Sequence, residues 1–436
     1  MDHTLVVYAE QASQRLCYVL DYLFVQQYQI GYRLETPASG GDPAVSDINY
    51  SNRPGGKMHI APQELLFERG LRRCEPRAMN WEGFTVPRFG DDPHETFDLF
   101  ASVFFLLSRY EEHYFPKTDV HGRPLPDRLW QVRYAEARVP VLDQWVNAFA
   151  EHLNLQFGLS IKKPAFTCLS TLDIDNGYRF KGKGWKRALG GSVKDIKSLQ
   201  FKQLRERWST LFALRKDDFD IYDELLAWHR QWSIPLCCFI LNAKKGGHDH
   251  GLPRNSKALR RIVQKLQRGG AAIGIHPSYS SNRHAERFTK EVSGLSQMAG
   301  TPITQSRQHY LRMQIQQTYT RLLSQGIKED FTMGFAPVPG FRAGTCRAFY
   351  YYHMEEERQT DLLIRPFAIM EGTLKDYMGV HAIDALSHIL PLVQQVQLVG
   401  GCFISIWHEA QLAERSRWRK VYLELMEYLS QQNRSN

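Results

Sequence analysis

Two carboxylates stand one residue apart at the end of an apolar run in the middle of the chain. The stretch reads Ser170-Thr171-Leu172-Asp173-Ile174-Asp175, and the run begins near Ala165. Side chains alternate faces along a strand, so Asp173 and Asp175 project the same way. Two carboxylates at the end of a buried strand are costly to keep ionised without a partner. A metal ion supplies that partner and leaves the second carboxylate free to act as a base. The plainer alternative is a strand end with two solvated acids.

Reactive residues recur at the ends of other apolar runs. Candidate strands cover 166–175, 235–242, 271–279, 303–311, 329–336, 362–371 and 400–409. Helical patterns fall between them at about 218–232, 255–268, 283–298, 312–326 and 382–397, with another at 411–431 after the last strand. Strands that alternate with helices imply a parallel sheet with right-handed crossovers. Seven such units predict an α/β fold, a distorted or incomplete (β/α)7 barrel, whose chemistry sits at the C-terminal strand ends. Those ends carry His276-Pro-Ser-Tyr-Ser280, Arg307-Gln-His309-Tyr310, Arg342 within Gly340–Thr345, Glu371 and Ile406-Trp407-His408-Glu409. A single histidine in such a place is commonly a satisfied core residue. Five polar strand ends in one register are harder to account for that way.

These residues resemble the polysaccharide deacetylase family, the metal-dependent carbohydrate esterases with the NodB-homology fold. The likeness is to its bacterial branch with a T-x-D-x-D first motif and an appended N-terminal domain, and it covers about 165–436. Thr171-Leu-Asp173-Ile-Asp175 matches the first motif with one residue inserted. The H-x-x-x-H motif is half kept, as His276 with Ser280 in place of the second histidine. Arg307-Gln-His309-Tyr310 resembles R-x-P-Y, with His309 for proline, and Ile406-Trp-His408 resembles the closing L-x-H.

The resemblance implies a hydrolase that removes acetyl groups from an N- or O-acetylated sugar or polysaccharide. It makes Asp173 the catalytic base, His408 the general acid and Arg307 the residue that orients Asp173. It makes Asp175 and His276 metal ligands; His309, which departs from the family pattern at the neighbouring strand end, is expected to restore a His/His/Asp set. The cofactor is a divalent metal ion, zinc first, with cobalt, nickel or manganese as alternatives. The backbone N–H near Tyr310 is expected on the oxyanion, and Arg342 and Trp407 are expected to contact substrate. Two other readings stay open: another amide C–N hydrolase, or an inactive glycan-binding or assembly protein of a polysaccharide pathway. Serine is a poor zinc ligand, so Ser280 favours the last of these.

Residues 1–160 read as a separate, smaller α/β domain. A strand over 4–8 precedes an amphipathic helix from Ala9 to about Phe24. Strands over 28–34 and 57–61 flank a Pro/Gly/Ser-rich loop, and two helices follow over 95–114 and 142–157. A polar, turn-rich loop over 117–126 joins those helices. Nothing in this region has the spacing of a catalytic constellation, and His113 and His121 are expected to face solvent.

The 436 residues carry a net charge of +9, much of it between Arg179 and Lys216. A solvated helix face explains such a run. The functional alternative is a surface for an anionic membrane leaflet, an acidic glycan or a nucleic acid. No nucleic-acid motif accompanies it. The seven cysteines form no C-x-x-C pair, and four lie in apolar runs, which points to a reducing compartment. Met1-Asp2-His3-Thr4 does not open a signal peptide, and no run of about 18 apolar residues predicts a membrane span. The expected location is cytoplasmic.

Overall fold

The computed structural model describes residues 4–91, 96–114 and 117–434. Met1–His3 and Glu95, the expected start of a helix, lie outside them.

The first sheet is parallel. From β1 (Thr4–Ala9) the chain enters α1 (Gln14–Leu20), capped by the Ser13 hydroxyl, which accepts from the Leu16 N–H at 3.0 Å. A π-helical turn over Asp21–Tyr28 leads to β2 (Gly31–Glu35). β3 (Ile48–Tyr50) and β4 (Met58–His59) complete the order β2-β1-β3-β4. β3 lies in the stretch read as loop, because three residues cannot display a period. A hairpin of β5 (Arg77–Trp81) and β6 (Phe84–Arg88) follows. Next come α2 (Leu99–Leu107), buried on every side, α3 (Trp130–Tyr134) and α4 (Val141–Phe157).

The second sheet begins with β7 (Phe166–Ile174). A helical hairpin of α5 (Trp185–Lys197) and α6 (Phe201–Leu211) precedes α7 (Tyr222–Trp232) and β8 (Leu236–Ile240). Then come α8 (Lys257–Arg268), β9 (Ala272–Ile275), α9 (Ala285–Ala299), β10 (Gln305–Ser306), α10 (Ile315–Ser324) and β11 (Glu329–Asp330). The chain closes with β12 (Phe349–His353), β13 (Arg358–Ile364), β14 (Ile369–Met370), α11 (Ala385–Val399), β15 (Gly401–His408) and α12 (Arg417–Arg434). The strand order is β12-β13-β11-β10-β9-β8-β7-β15-β14, and only the β12–β13 pair is antiparallel.

The expected sixth strand is therefore two strands. β13 pairs with β11 near one end of the row, and β14 pairs with β15 at the other. The link between Ile364 and Ile369 spans five steps, at most about 17 Å. The two ends of the row must therefore lie close together, and the sheet curls into a barrel broken at this point. The link itself bridges the break: Arg365 N–H donates to the Asp330 carbonyl at 2.9 Å, and Ala368 N–H to the Ile404 carbonyl at 2.9 Å. Phe239, Phe331, Phe367, Ile404 and Ile406 fill the interior. The helices pack outside in a second apolar core that also takes in Leu5, Val7 and α2 from the first sheet's layer.

A buried charge cluster ties the two sheets' surroundings together. Glu112 accepts from Arg342 Nε at 3.0 Å and from its Nη2, and pairs with Arg109 at 2.8 Å. Burial works against the Glu112 carboxylate, but the two guanidiniums hold its pKa down to about 2. With the folded value depressed, this stabilisation is complete above the carboxyl's ordinary range and is lost as pH falls through about 2. Glu112→Gln strands two buried arginines and is expected to cost about 3–5 kcal/mol. Urea unfolding at neutral pH measures that cost. Among the described residues no helix is long and apolar enough to cross a membrane.

Candidate active site

β7 and β15 are neighbours in register, with His408 opposite Asp173. Leu169, Thr171 and Asp173 face the barrel interior from β7, and Ile404, Ile406 and His408 from β15, as alternation requires. Asp175 follows the end of β7, on the side of Asp173. Together with the ends of β9 and β10 these residues line a cleft of about 320 Å³.

Asp175, His276 and His309 present one ligand atom each within 4.8 Å of one another. Asp175 Oδ1 is 3.4 Å from His276 Nε2 and 3.6 Å from His309 Nε2. It is buried and has no hydrogen-bond partner. Both histidines have their other nitrogen engaged. His276 Nδ1 meets the Arg307 carbonyl at 2.6 Å, and His309 Nδ1 meets Asp249 Oδ1 at 3.0 Å. Those partners accept only, so neutral His276 and His309 carry the proton on Nδ1 and a lone pair on Nε2. Two imidazole lone pairs and an orphaned carboxylate oxygen thus converge on one point. This donor set fits a borderline divalent cation, with carboxylate and carbonyl partners fixing each imidazole from behind. Ser280 is outside the set, since its hydroxyl meets Ser278 Oγ at 3.2 Å.

Asp173 is positioned from the barrel interior. Arg307 Nη1 donates to Asp173 Oδ1 at 3.0 Å and to Thr171 Oγ1 at 2.6 Å, and its Nε donates to the Phe331 carbonyl at 3.0 Å. The guanidinium lies over the Phe239 ring at 4.5 Å. Asp173 Oδ2 is 3.7 Å from His276 Nε2, which sets it beside the converging donors without joining them. On the opposite wall, His408 Nδ1 meets Glu371 Oε1 at 2.6 Å, while its Nε2 points toward Asp175 Oδ2 at 3.9 Å. Burial disfavours the His408 imidazolium, but Glu371, Asp175 and Asp173 override it and lift its pKa well above the ordinary value. Burial likewise opposes the charge on Asp175, and His309, His276 and His408 hold its carboxyl well below the usual range.

Six of the nine residues expected at the site line this cleft, Asp173, Asp175, His276, His309, Tyr310 and His408, and a seventh, Arg307, stands directly behind Asp173. Arg342 and Trp407 do neither. Arg342 is buried against Glu112 and does not line the cleft. Trp407 neighbours an inward histidine in a strand and so points outward, where it packs on Tyr422 at 5.0 Å and donates to Ser405 Oγ.

Four residues the motifs do not assign complete the arrangement. Asp249 and Glu371 orient imidazoles. Glu409 Oε1 accepts from the N–H groups of Asn176 at 2.5 Å and Gly177 at 3.1 Å, clamping the turn after Asp175. Arg123 comes from the loop after α2. It donates from Nη1 to the Tyr310 carbonyl at 3.0 Å and from Nη2 to the Tyr377 hydroxyl at 3.0 Å, and Asp119 binds its Nε at 2.6 Å. It braces a strained turn, since Tyr310 and Leu311 both have positive φ, 60° and 52°. His121 is half-buried beside Tyr279, its Nδ1 3.2 Å from the Tyr279 hydroxyl, rather than facing solvent. The polar, turn-rich loop over 117–126 thus contributes Arg123 to the cleft.

Among solved structures the chain is similar to a Mycobacterium smegmatis protein assigned to the polysaccharide deacetylases, at 12% identity, over 62% of this chain and 86% of that one, with a TM-score of 0.41. It is similar to Puue allantoinase at 10% identity, over 62% and 88%, with a TM-score of 0.38. A family 4 carbohydrate esterase from Streptomyces lividans is similar at 9% identity, over 62% and 88%, with a TM-score of 0.30. No curated protein matches the chain. Residues 5–158 match the family of unknown function DUF7033.

Proposed function

We propose that this protein is a metal-dependent hydrolase that removes acetyl groups from an N- or O-acetylated carbohydrate. The carrying observation is the orphaned Asp175 Oδ1 between two imidazole Nε2 atoms, with a fixed carboxylate on one side and a fixed imidazole on the other. Asp175, His276 and His309 would hold the ion, with zinc first and cobalt, nickel or manganese as alternatives. Such an ion polarises an acyl carbonyl and lowers the pKa of bound water.

The remaining chemistry belongs to the chain. Asp173, aligned by Arg307, takes a proton from the attacking water. The backbone at Tyr310, on the rim, is suited to the developing oxyanion. His408, oriented by Glu371, gives its proton to the leaving amine or alkoxide. Acetate and the deacetylated sugar leave. In this reading 165–436 is the catalytic domain and 1–160 an accessory domain whose 117–126 loop brings Arg123 to the cleft, in a cytoplasmic protein.

The test is acetate release from N-acetylated chito-oligomers and O-acetylated xylan, after chelation and after reloading with zinc or cobalt. Release that disappears with chelation and returns with the ion is expected. Stoichiometric binding of the ion without acetate release from either substrate would move the assignment to another C–N hydrolase. A protein that binds no ion and releases no acetate would be a glycan-binding module.

A further inference from the structure

The α5–α6 hairpin is built inside out. A helix on a globular surface ordinarily turns its apolar stripe to the core and its polar face to water. α5 buries Ala188, Ser192 and Asp195 and exposes Trp185, Leu189, Val193 and Ile196, which recur at i, i+4, i+8 and i+11 on one face. Leu199 in the turn, Phe201 at the start of α6, and Phe212 and Leu214 beyond its end are exposed as well. These eight side chains are between 46% and 79% exposed. They are eight of the nineteen exposed large apolar side chains among the described residues, within a thirty-residue segment. Singly scattered exposed hydrophobics need no explanation, but four along one helix face, with four more in the same short segment, do.

The charges around the stripe have one sign. Lys186, Lys194 and Lys197 form a parallel row on α5, and Lys202 and Arg205 extend it on α6, all exposed. No ion pair engages these five among the described residues. The segment's two acids point inward and are consumed there. Asp195 is held by Arg207 at 2.8 Å, and Glu206 by Arg179 at 3.2 Å and by Arg415.

We propose that this hairpin docks the protein on an anionic phospholipid surface. Its apolar stripe would enter the headgroup–acyl boundary, with the lysine row on the lipid phosphates. Large aliphatic and aromatic side chains interleaved with unpaired cations, on a helix whose polar side faces its own protein, match an interfacial membrane element. Nucleic acid and acidic glycan would use the cations but leave Leu189, Val193 and Ile196 in water. The hairpin leaves the barrel from the strand end that carries Asp173 and Asp175. Arg187 fastens α5 to the carbonyls of Gly251 at 2.7 Å and His250 at 2.5 Å, beside Asp249. The hairpin is therefore anchored beside the rim that holds the cleft. The inference is independent of the reaction catalysed there.

Co-sedimentation of the full chain with vesicles tests it. Vesicles of phosphatidylcholine containing roughly one third phosphatidylglycerol should bind the protein, phosphatidylcholine alone much less, and added salt should release it. Lys186→Gln/Lys194→Gln/Lys197→Gln should weaken binding about a hundredfold, each charge near an anionic surface being worth about a factor of five. Trp185→Ser/Leu189→Ser should weaken it about a hundredfold, with helix content by circular dichroism unchanged, because both sites are exposed. Failure to bind the phosphatidylglycerol vesicles, or full binding by the apolar double variant, overturns the proposal. So does a stable dimer in sedimentation that the apolar variant abolishes, since the stripe would then belong to a second copy. Retention of an oligonucleotide or heparin by wild type and apolar variant alike, without vesicle binding, also overturns it.

Discussion

Asp175→Ala and His309→Ala are each expected to abolish stoichiometric divalent-ion binding and, with it, acetate release. The donor set has three members, and each imidazole is already committed through Nδ1 to a fixed partner. Neither imidazole can swing to replace a lost neighbour without breaking a buried hydrogen bond. Loss of one ligand from such a site is severe, whereas loss of a carboxylate behind an imidazole is graded. Asp249→Asn, which keeps the shape but weakens the hold on His309, should lower metal affinity about 10- to 100-fold. Metal analysis after dialysis distinguishes the two classes. Normal metal content in either alanine variant would remove that residue from the ligand set. Ser280→Ala should leave metal content unchanged, because the serine hydroxyl is engaged with Ser278.

How far the site could be read from sequence depended on where each group enters. Asp173, His276, Arg307 and His408 are legible because each ends an apolar run, and parallel strands bring their C-terminal ends to one rim. His309 is legible for the same reason, despite its departure from the family pattern. Asp249 is not. It comes from a glycine-containing loop between β8 and α8 that has no periodicity, and nothing local says that its carboxylate meets β10. Arg123 is further still: its partner Tyr310 is 187 residues away, in a different sheet's surroundings. The two misplaced residues failed for different reasons. Trp407 was discoverable, since an inward His408 forces its strand neighbour outward. Arg342 was not, because its counter-charge, Glu112, lies in the N-terminal region. The barrel's break was hidden because 362–371 is one apolar run, yet its halves pair at opposite ends of the row. The hairpin over 185–211 was visible only as a run of positive charge. Its inversion could not be seen until burial separated Ala188, Ser192 and Asp195 from the exposed stripe.

Asp173→Asn and His408→Ala should each reduce turnover by about two to four orders of magnitude, the usual worth of a positioned base or acid, while leaving fold and bound ion in place. The two residues flank the donor set without joining it, and they are held by separate anchors: Arg307 for Asp173, Glu371 for His408. Their roles predict opposite limbs of the pH profile. The base must be ionised, so activity falls on the acid side. The acid must be protonated, so activity falls on the alkaline side as His408 gives its proton up. The Glu371 carboxylate is the largest influence raising the His408 pKa against the cost of burial. Glu371→Gln keeps a hydrogen-bond acceptor at Nδ1 but removes the charge, so the His408 pKa should fall and the alkaline limb should move to lower pH. Steady-state acetate release across pH, with metal content measured on each variant, resolves these outcomes. An alkaline limb that stays put in Glu371→Gln, or wild-type turnover in His408→Ala, would mean that His408 is not the acid. The proton would then have to come from a group outside the β15 wall.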